Sequence, residues 1–240
     1  MLIEVCANSL QSALNAEQAG AHRIELCSEL AVGGITPSYG LLKAVREQVS
    51  IPVHVLIRPR SGDFTYSAAE FEIMKTDIET CVDLGFDGIV SGILKSDFSL
   101  DADRTKLLVE ASGKLKFTFH RAFDWVQNPL EAMATLEHLE VDTILTSGQQ
   151  PAAEDGIALL QKLHQSASTI CIMPGGGIRP DNIHLFQEMG FRAAHLSGSK
   201  FLKTSNTSSK ISMNNSVFLK DGEITVSDLR TIRAVVNAVK

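Results

Sequence analysis

The chain opens with two near copies of one short pattern, Ile3-Glu4-Val5-Cys6 and Ile24-Glu25-Leu26-Cys27. In each copy, apolar residues alternate with a carboxylate and a thiol, which is the two-residue period of a β-strand with one reactive face. Neighbouring strands lie about 4.8 Å apart, so the Cys6 and Cys27 thiols would approach the spacing that two thiolates need to hold one Cu(I) ion. The alternative interpretation is that both cysteines pack as small apolar residues.

Other ionisable residues fall on the same face of later strands. Together with the two carboxylates, they make a set of candidate catalytic residues: Glu4, Glu25, His54, Arg58 and His120. Carboxylates and histidines transfer protons and an arginine binds anions, so these residue types suit an enzyme site. Burying such groups is unfavourable unless they pair, and a paired ionic plug without function is the alternative.

Two glycine-containing segments, Pro174–Asn182 and Ser197–Ser199, each follow an apolar run near the end of the chain. Glycine lets the backbone approach an anion, and the N-terminus of a following helix supplies N–H groups. The segments therefore predict an anion site, the alternative being glycines that only make tight turns. The candidate anion-binding residues are Arg60, Gly176, Gly177, Gly198 and Ser199.

Eight short runs rich in Val, Ile, Leu or Phe alternate with helical patterns, one of which opens with a capping box at Ser67 and Glu70. Short apolar runs are typical of parallel strands covered by helices. They predict strands at Leu2–Cys6, Arg23–Cys27, Val53–Arg58, Gly88–Gly92, Lys116–His120, Thr143–Ser147, Thr169–Met173 and Ala193–Ser197.

Eight strand–helix units of about 30 residues predict a (β/α)8 TIM barrel, with residues 1–240 forming a single domain. An open doubly wound sheet would usually have a glycine-rich turn after its first strand, and the turn here, Cys6–Leu10, contains no glycine. A polar segment at about 203–221, between the eighth strand and the last helix, indicates a solvated loop or a mobile lid.

In such a barrel, one face of each strand meets the helices and the other fills the interior. The helix-facing residues are apolar, whereas the inward-facing set is Glu4, Cys6, Arg23, Glu25, Cys27, His54, Leu56, Arg58, Thr118, His120, Cys171, His195 and Ser197. The loops at the mouth add Asn8, Arg60, Arg121, Asp124 and Gly148. Barrel interiors are usually filled by branched apolar side chains, so this polarity predicts a site for a small molecule or a metal.

Composition excludes several function classes. The net charge is −6 and the basic residues are scattered, which argues against a nucleic-acid partner. There is no apolar run that could span a membrane and no signal-peptide pattern. The four cysteines form no Cys-x-x-Cys pair, which favours free thiols in a reducing cytosol over a zinc ribbon. No organic cofactor is predicted.

Several blocks, spread from the first predicted strand towards the eighth, resemble the CutC family of copper homeostasis proteins. They are Ile3–Cys6, Arg23–Ser28, Gly33–Ser38, Val55–Phe64, Phe119–Asp124, Leu145–Gly148 and Met173–Ile178. The resemblance covers almost the whole chain, and it implies a cytoplasmic (β/α)8 barrel, often a homo-oligomer, that takes part in controlling copper levels. It also implies that Cys6 and Cys27 are Cu(I) ligands.

Two functional hypotheses stay open. The first is a cytosolic protein of copper homeostasis whose partner is the copper ion, and the family resemblance favours it. The second is an enzyme that acts on a small anionic or phosphorylated metabolite at the barrel mouth. It is favoured by the polar interior and the glycine segments, which two cysteines do not explain. Loss of Cys6 and Cys27 would abolish the first function, whereas loss of Arg58 and His120 would abolish the second.

Overall fold

The computed structural model describes residues 1–205, 211 and 221–240, and its central feature is a sheet of eight parallel strands. The strands are β1 (Leu2–Ala7), β2 (Arg23–Leu26), β3 (Val53–Leu56), β4 (Gly88–Ser91), β5 (Lys116–Phe119), β6 (Thr143–Thr146), β7 (Cys171–Pro174) and β8 (Ala193–Leu196). They pair in chain order, β1 also pairs with β8, and a parallel bridge between Gly175 and His195 joins the β7 and β8 ends. The sheet closes, which confirms the predicted (β/α)8 barrel.

Helices connect the strands: α1 (Leu10–Ala19), α2 (Tyr39–Gln48), α3 (Ala68–Asp83), α4 (Ala102–Ser112), α5 (Pro129–His138), α6 (Ile157–Ser166), α7 (Ile183–Glu188) and α8 (Leu229–Ala238). The predicted capping box is present at the start of α3, where Ser67 and Glu70 exchange hydrogen bonds with each other's backbone N–H. None of the helices in the described ranges is both long and apolar enough to cross a membrane.

The main hydrophobic core lies between the sheet and the helices. Outward-facing strand residues such as Ile3, Ile24 and Phe119 are completely buried there. The opposite side chains of the same strands point into the barrel, where Glu4, 0% exposed, is an example. The alternation predicted from the two-residue period is therefore present, and it directs the polar strand residues into the barrel interior.

A two-stranded antiparallel hairpin, absent from the predicted elements, follows the barrel strands. It pairs β9 (Ser199–Lys203) with β10 (Glu223–Ser227) immediately before α8. All five residues of β9 are exposed, so the strand carries no burial pattern that sequence periodicity could detect. The predicted loop or lid at about 203–221 falls mostly on residues outside those described, and its first residue, Lys203, belongs to β9.

Candidate functional site

Glu4 lies at the centre of a buried charge cluster inside the barrel. Strand register places Arg23 of β2 on one side of it and His195 of β8 on the other. The Arg23 Nε lies 2.5 Å from Glu4 Oε2, and His195 Nδ1 lies 2.8 Å from Glu4 Oε1. Burial alone would raise the pKa of Glu4, but the Arg23 charge and the His195 hydrogen bond lower that pKa to about 2. Glu4 is therefore ionised and both of its oxygens are paired.

The two cysteines of the repeated pattern meet beside this cluster. Cys6 Sγ lies 3.3 Å from Cys27 Sγ and 3.4 Å from Glu25 Oε1. Ligand atoms of Cys6, Glu25 and His195 all lie within 4.8 Å of one another, so one ion could contact all three. The second oxygen of Glu25, Oε2, is buried without a hydrogen-bond partner in the described part of the chain. One soft donor, Cys6, thus converges with two harder donors, Glu25 and His195, and the second thiol, Cys27, lies against Cys6.

The electrostatics of this point favour a cation. The hydrogen bond with Cys27, burial and the nearby Glu25 carboxylate hold the pKa of the Cys6 thiol well above its ordinary value. Burial raises the pKa of Glu25, and the charge of Glu4 raises it further. Burial alone would lower the pKa of His195, but Glu25 and Glu4 raise it. Each shift keeps a proton in the cluster, and a metal cation bound there would replace such protons.

A cavity of about 820 Å³ opens above the cluster at the C-terminal ends of the strands. Cys6, Glu25 and His195 lie on its wall, whereas Glu4, Cys27 and His54 are buried behind the lining residues. A volume of this size suits a small molecule, and barrels of this fold carry their sites at this end.

Arg58 lines the cavity, but two of its three guanidinium nitrogens are hydrogen-bonded to the protein, and the buried Nε has no partner in the described residues. Its Nη1 donates to the carbonyl oxygens of Val32 and Gly34, at 2.8 and 2.9 Å, and its Nη2 donates to the Gly62 carbonyl at 2.9 Å. The Arg58 guanidinium carbon also lies 5.0 Å from the centre of the Phe64 ring. Arg58 therefore anchors the loops beside β2 and β3 more than it presents a charge to a ligand.

The two predicted histidines are buried and neutral. Burial lowers the pKa of His54 to about 4, with a further lowering by Arg23. Burial and the charge of Arg58 lower the pKa of His120 to about 3. His120 lines the cavity, whereas His54 packs against Gly88, where a Cβ would lie 2.5 Å from the imidazole ring. The structure thus brings His120 to the site and keeps His54 below it.

Of the five predicted anion-binding residues, four lie at the cavity and one does not. Gly176, Gly177, Gly198 and Ser199 all line the cavity, but Arg60 is not among the described residues that do. Arg60 instead forms ion pairs with Glu70 at 2.5 Å and Asp63 at 3.0 Å, outside the barrel mouth. The predicted helix N-terminus contributes little, because α7 has only six residues and Asn182 already accepts the Arg179 N–H.

Two residues of the site were not among the predicted site residues. His195 faces inward as the strand period requires, but its strand, β8, gave no sign that it would pair with Glu4. Arg121, predicted to lie in a loop at the mouth, lines the cavity, as was expected of Arg60. Its Nε lies 2.8 Å from Asp124 Oδ2 and its Nη2 lies 2.9 Å from Ser147 Oγ. The sequence signal available for these two residues was their position, with His195 on the inward face of a predicted strand and Arg121 in a loop at the barrel mouth.

Comparison with known proteins gives a consistent result. Residues 1–200 match the model of the CutC family. A family protein CutC of Photorhabdus laumondii is 47% identical over 205 residues, which are 85% of this chain and 83% of that protein. A family protein CutC of Edwardsiella ictaluri is 49% identical over 197 residues, 82% of this chain and 78% of that protein.

Solved structures agree with the sequence comparison. The crystal structure of a CutC protein from Streptococcus agalactiae, named for copper homeostasis, has a TM-score of 0.78 and 35% identity. It covers 82% of this chain and 98% of its own. A thiamine phosphate pyrophosphorylase from Pyrococcus furiosus shares the fold alone, with a TM-score of 0.62 and 15% identity over 99% of this chain and 94% of its own. By family model, relatives and structure, the chain belongs to the CutC family.

Proposed function

We propose that this protein acts in copper homeostasis by binding one Cu(I) ion, with the thiolates of Cys6 and Cys27 as its ligands. The observation that carries the proposal is the 3.3 Å separation of the two sulfur atoms. Metal–sulfur bonds of about 2.3 Å put the sulfurs of a linear site about 4.6 Å apart, so the side chains would separate by about 1.3 Å. A bent site needs a smaller change.

The surroundings of the thiol pair support a soft monovalent cation. Thiolates select Cu(I) over harder ions. Glu25 and His195 lie close enough to complete the coordination or to balance its charge. The Streptococcus agalactiae relative is named a copper homeostasis protein, and this name supports copper as the metal. A Cu(I) site needs reduced thiols, so we also propose a cytoplasmic setting, and we propose the homo-oligomer that the family resemblance implies.

Anaerobic Cu(I) titration against a competing chelator tests the proposal. We expect one tightly bound ion per chain, and about 100-fold or greater weakening in the Cys6→Ser/Cys27→Ser double variant, since loss of outer-sphere partners alone can weaken metal binding 10–100-fold. The matched control is Cys81→Ser/Cys171→Ser, which also removes two thiols but leaves the pair intact. Equal weakening in both variants, or none in the first, would contradict the proposal.

A second candidate function is an enzyme that acts on a small anionic metabolite in the cavity. The specific observation that favours it is a pair of buried polar atoms, Glu25 Oε2 and His120 Nε2, that have no partner among the described residues. Both residues line the 820 Å³ cavity, which is far larger than one metal ion requires. Unpartnered buried atoms facing a cavity are typical of groups that meet a ligand.

A further inference from the structure

His120 lines the cavity, and its imidazole carries a hydrogen-bond donor without a partner in the described residues. Its Nδ1 accepts a hydrogen bond from the Ala122 N–H at 3.2 Å, so the proton of the neutral ring is on Nε2. His120 is 5% exposed, and its Nε2 has no partner in the described residues. Leaving a buried N–H unpaired is unfavourable, so an acceptor is needed at this place.

The charge state of His120 restricts that acceptor. Burial and the neighbouring Arg58 charge lower the pKa of His120 to about 3, so the ring stays neutral at neutral pH. A neutral N–H binds a carbonyl oxygen well and adds no net charge. The anionic part of a ligand therefore needs another partner in the cavity.

Arg121 is placed to be that partner. Two of its three nitrogens are held, Nε by Asp124 and Nη2 by Ser147, and Nη1 has no partner within the described ranges. A Cβ on Gly176 would lie 3.5 Å from this Nη1, so the glycine leaves the guanidinium uncovered. Asp124 is itself engaged by the Ser147 N–H and by Thr146 Oγ1, which fixes the arginine in position.

Backbone donors after β7 and β8 line the same cavity. Gly177 and Gly198, both with positive φ, line it, and no described residue accepts a hydrogen bond from either N–H group. By contrast, the Arg179 guanidinium, which also lines the cavity, is occupied by Asp181, Glu154 and the Gly177 carbonyl. Besides these N–H groups and Arg121 Nη1, the buried Arg58 Nε is also uncommitted, and these donors define the polar features of a ligand.

We propose that the cavity binds a small organic anion with a carbonyl group, the anion held by Arg121 and the Gly177 and Gly198 N–H groups, and the carbonyl oxygen by His120 Nε2. The inference rests on the second candidate function and names its ligand class. Phe64 and Trp125 on the cavity wall supply the apolar surface against which a short carbon chain packs. The anion is a carboxylate or a phosphate monoester, which the experiment distinguishes.

Isothermal titration with four probes tests this inference on the full chain. Hydroxyacetone phosphate and propyl phosphate differ only in a carbonyl, and so do acetoacetate and butyrate. We expect the carbonyl member of the better-bound pair to bind about tenfold or more tightly than its partner, because only it satisfies His120. The better-bound pair identifies the anion, and either preference supports the proposal.

Variants assign the roles. Arg121→Met should weaken both members of that pair about tenfold or more, whereas Arg46→Met, on the surface beside Asp87, should change neither. His120→Phe should reduce the carbonyl preference to within about twofold, and His120→Gln, which keeps a donor, should retain part of it. Circular dichroism checks that each variant folds. The carbonyl preference within each probe pair is measured on the unaltered protein, so it does not depend on the folding of a variant.

The outcomes separate the inference from the function on which it rests. If no probe binds, both the ligand class and the second candidate function are overturned. If probes bind without a carbonyl preference, or if Arg121→Met has no effect, the assigned ligand class is overturned while binding in the cavity stands. Neither result bears on Cu(I) binding by Cys6 and Cys27.

Discussion

On the side of the barrel formed by β1, β2 and β8, the buried ionisable groups meet one another, whereas on the side of β3 and β5 they do not. Glu4 is paired through both oxygens with Arg23 and His195. His54 and His120 each keep one ring nitrogen without a partner in the described residues. We call these the paired side and the unpaired side.

The difference shows two ways of keeping polarity inside a barrel. On the paired side, opposite charges compensate each other, and a cation can join the cluster by replacing a proton. On the unpaired side, the histidines are neutral, so their burial is tolerated without a counter-charge and leaves a donor for a ligand. The paired side suits a metal ion and the unpaired side suits an organic molecule.

The largest effect is expected where a charge on the paired side loses its partner. In Glu4→Gln, the Arg23 guanidinium, 13% exposed, keeps its charge without a full counter-charge. We expect a loss of about 3–5 kcal/mol in the free energy of unfolding, measured by urea denaturation. The control is Arg46→Gln, which breaks an exposed pair with Asp87 and should lose about 1 kcal/mol or less.

The double variant Glu4→Leu/Arg23→Met tests whether the unpaired charge causes this loss, because it removes both charges. It should be less destabilised than Glu4→Gln alone. A loss below about 1 kcal/mol in Glu4→Gln would show that the two sides do not differ as described.

A smaller effect is expected from crowding the unpaired side. A Cβ on Gly92 would lie 2.7 Å from the His120 ring, so Gly92→Ala must displace the imidazole. We expect a loss of about 1–3 kcal/mol in urea denaturation, as for other overpacked interiors. Gly40→Ala is the matched control: it is in α2 with nothing within 4 Å, and should stabilise the protein by about 0.5–1 kcal/mol. Similar changes in both variants would contradict the close packing of His120.

The smallest effect, counted per pH unit, concerns the pH dependence of stability. The pKa of His54 is lowered to about 4 in the folded protein, below its ordinary value of 6.5. Between these values the unfolded chain binds a proton that the folded chain does not, so this contribution is present above pH 6.5 and is lost as the pH falls towards 4. His54→Gln should reduce the slope of unfolding free energy against pH by up to about 1.4 kcal/mol per unit there. An unchanged slope would mean that His54 takes up a proton in the folded barrel.

The fold and half of the site followed from sequence periodicity. Eight apolar runs fixed the strands, and the two-residue alternation placed Glu4, Cys6 and Glu25 inside the barrel on neighbouring strands. Both arguments succeed because strand period and burial are local properties of the chain.

The loops could not be predicted in the same way. Arg60 and Arg121 each follow a strand, and only the structure shows that Glu70 and Asp63 hold Arg60 away from the cavity. The pairing of His195 with Glu4 joins residues 191 positions apart, a closure that no local pattern encodes. The hairpin of β9 and β10 escaped prediction because it is largely exposed.

The measurement that tests the copper assignment most directly is the X-ray absorption spectrum of the chain loaded anaerobically with one equivalent of Cu(I). We predict a sulfur shell around the metal that disappears in Cys6→Ser/Cys27→Ser and persists in Cys81→Ser/Cys171→Ser. A shell made of nitrogen and oxygen alone, or a sulfur shell unchanged by loss of Cys6 and Cys27, would contradict it.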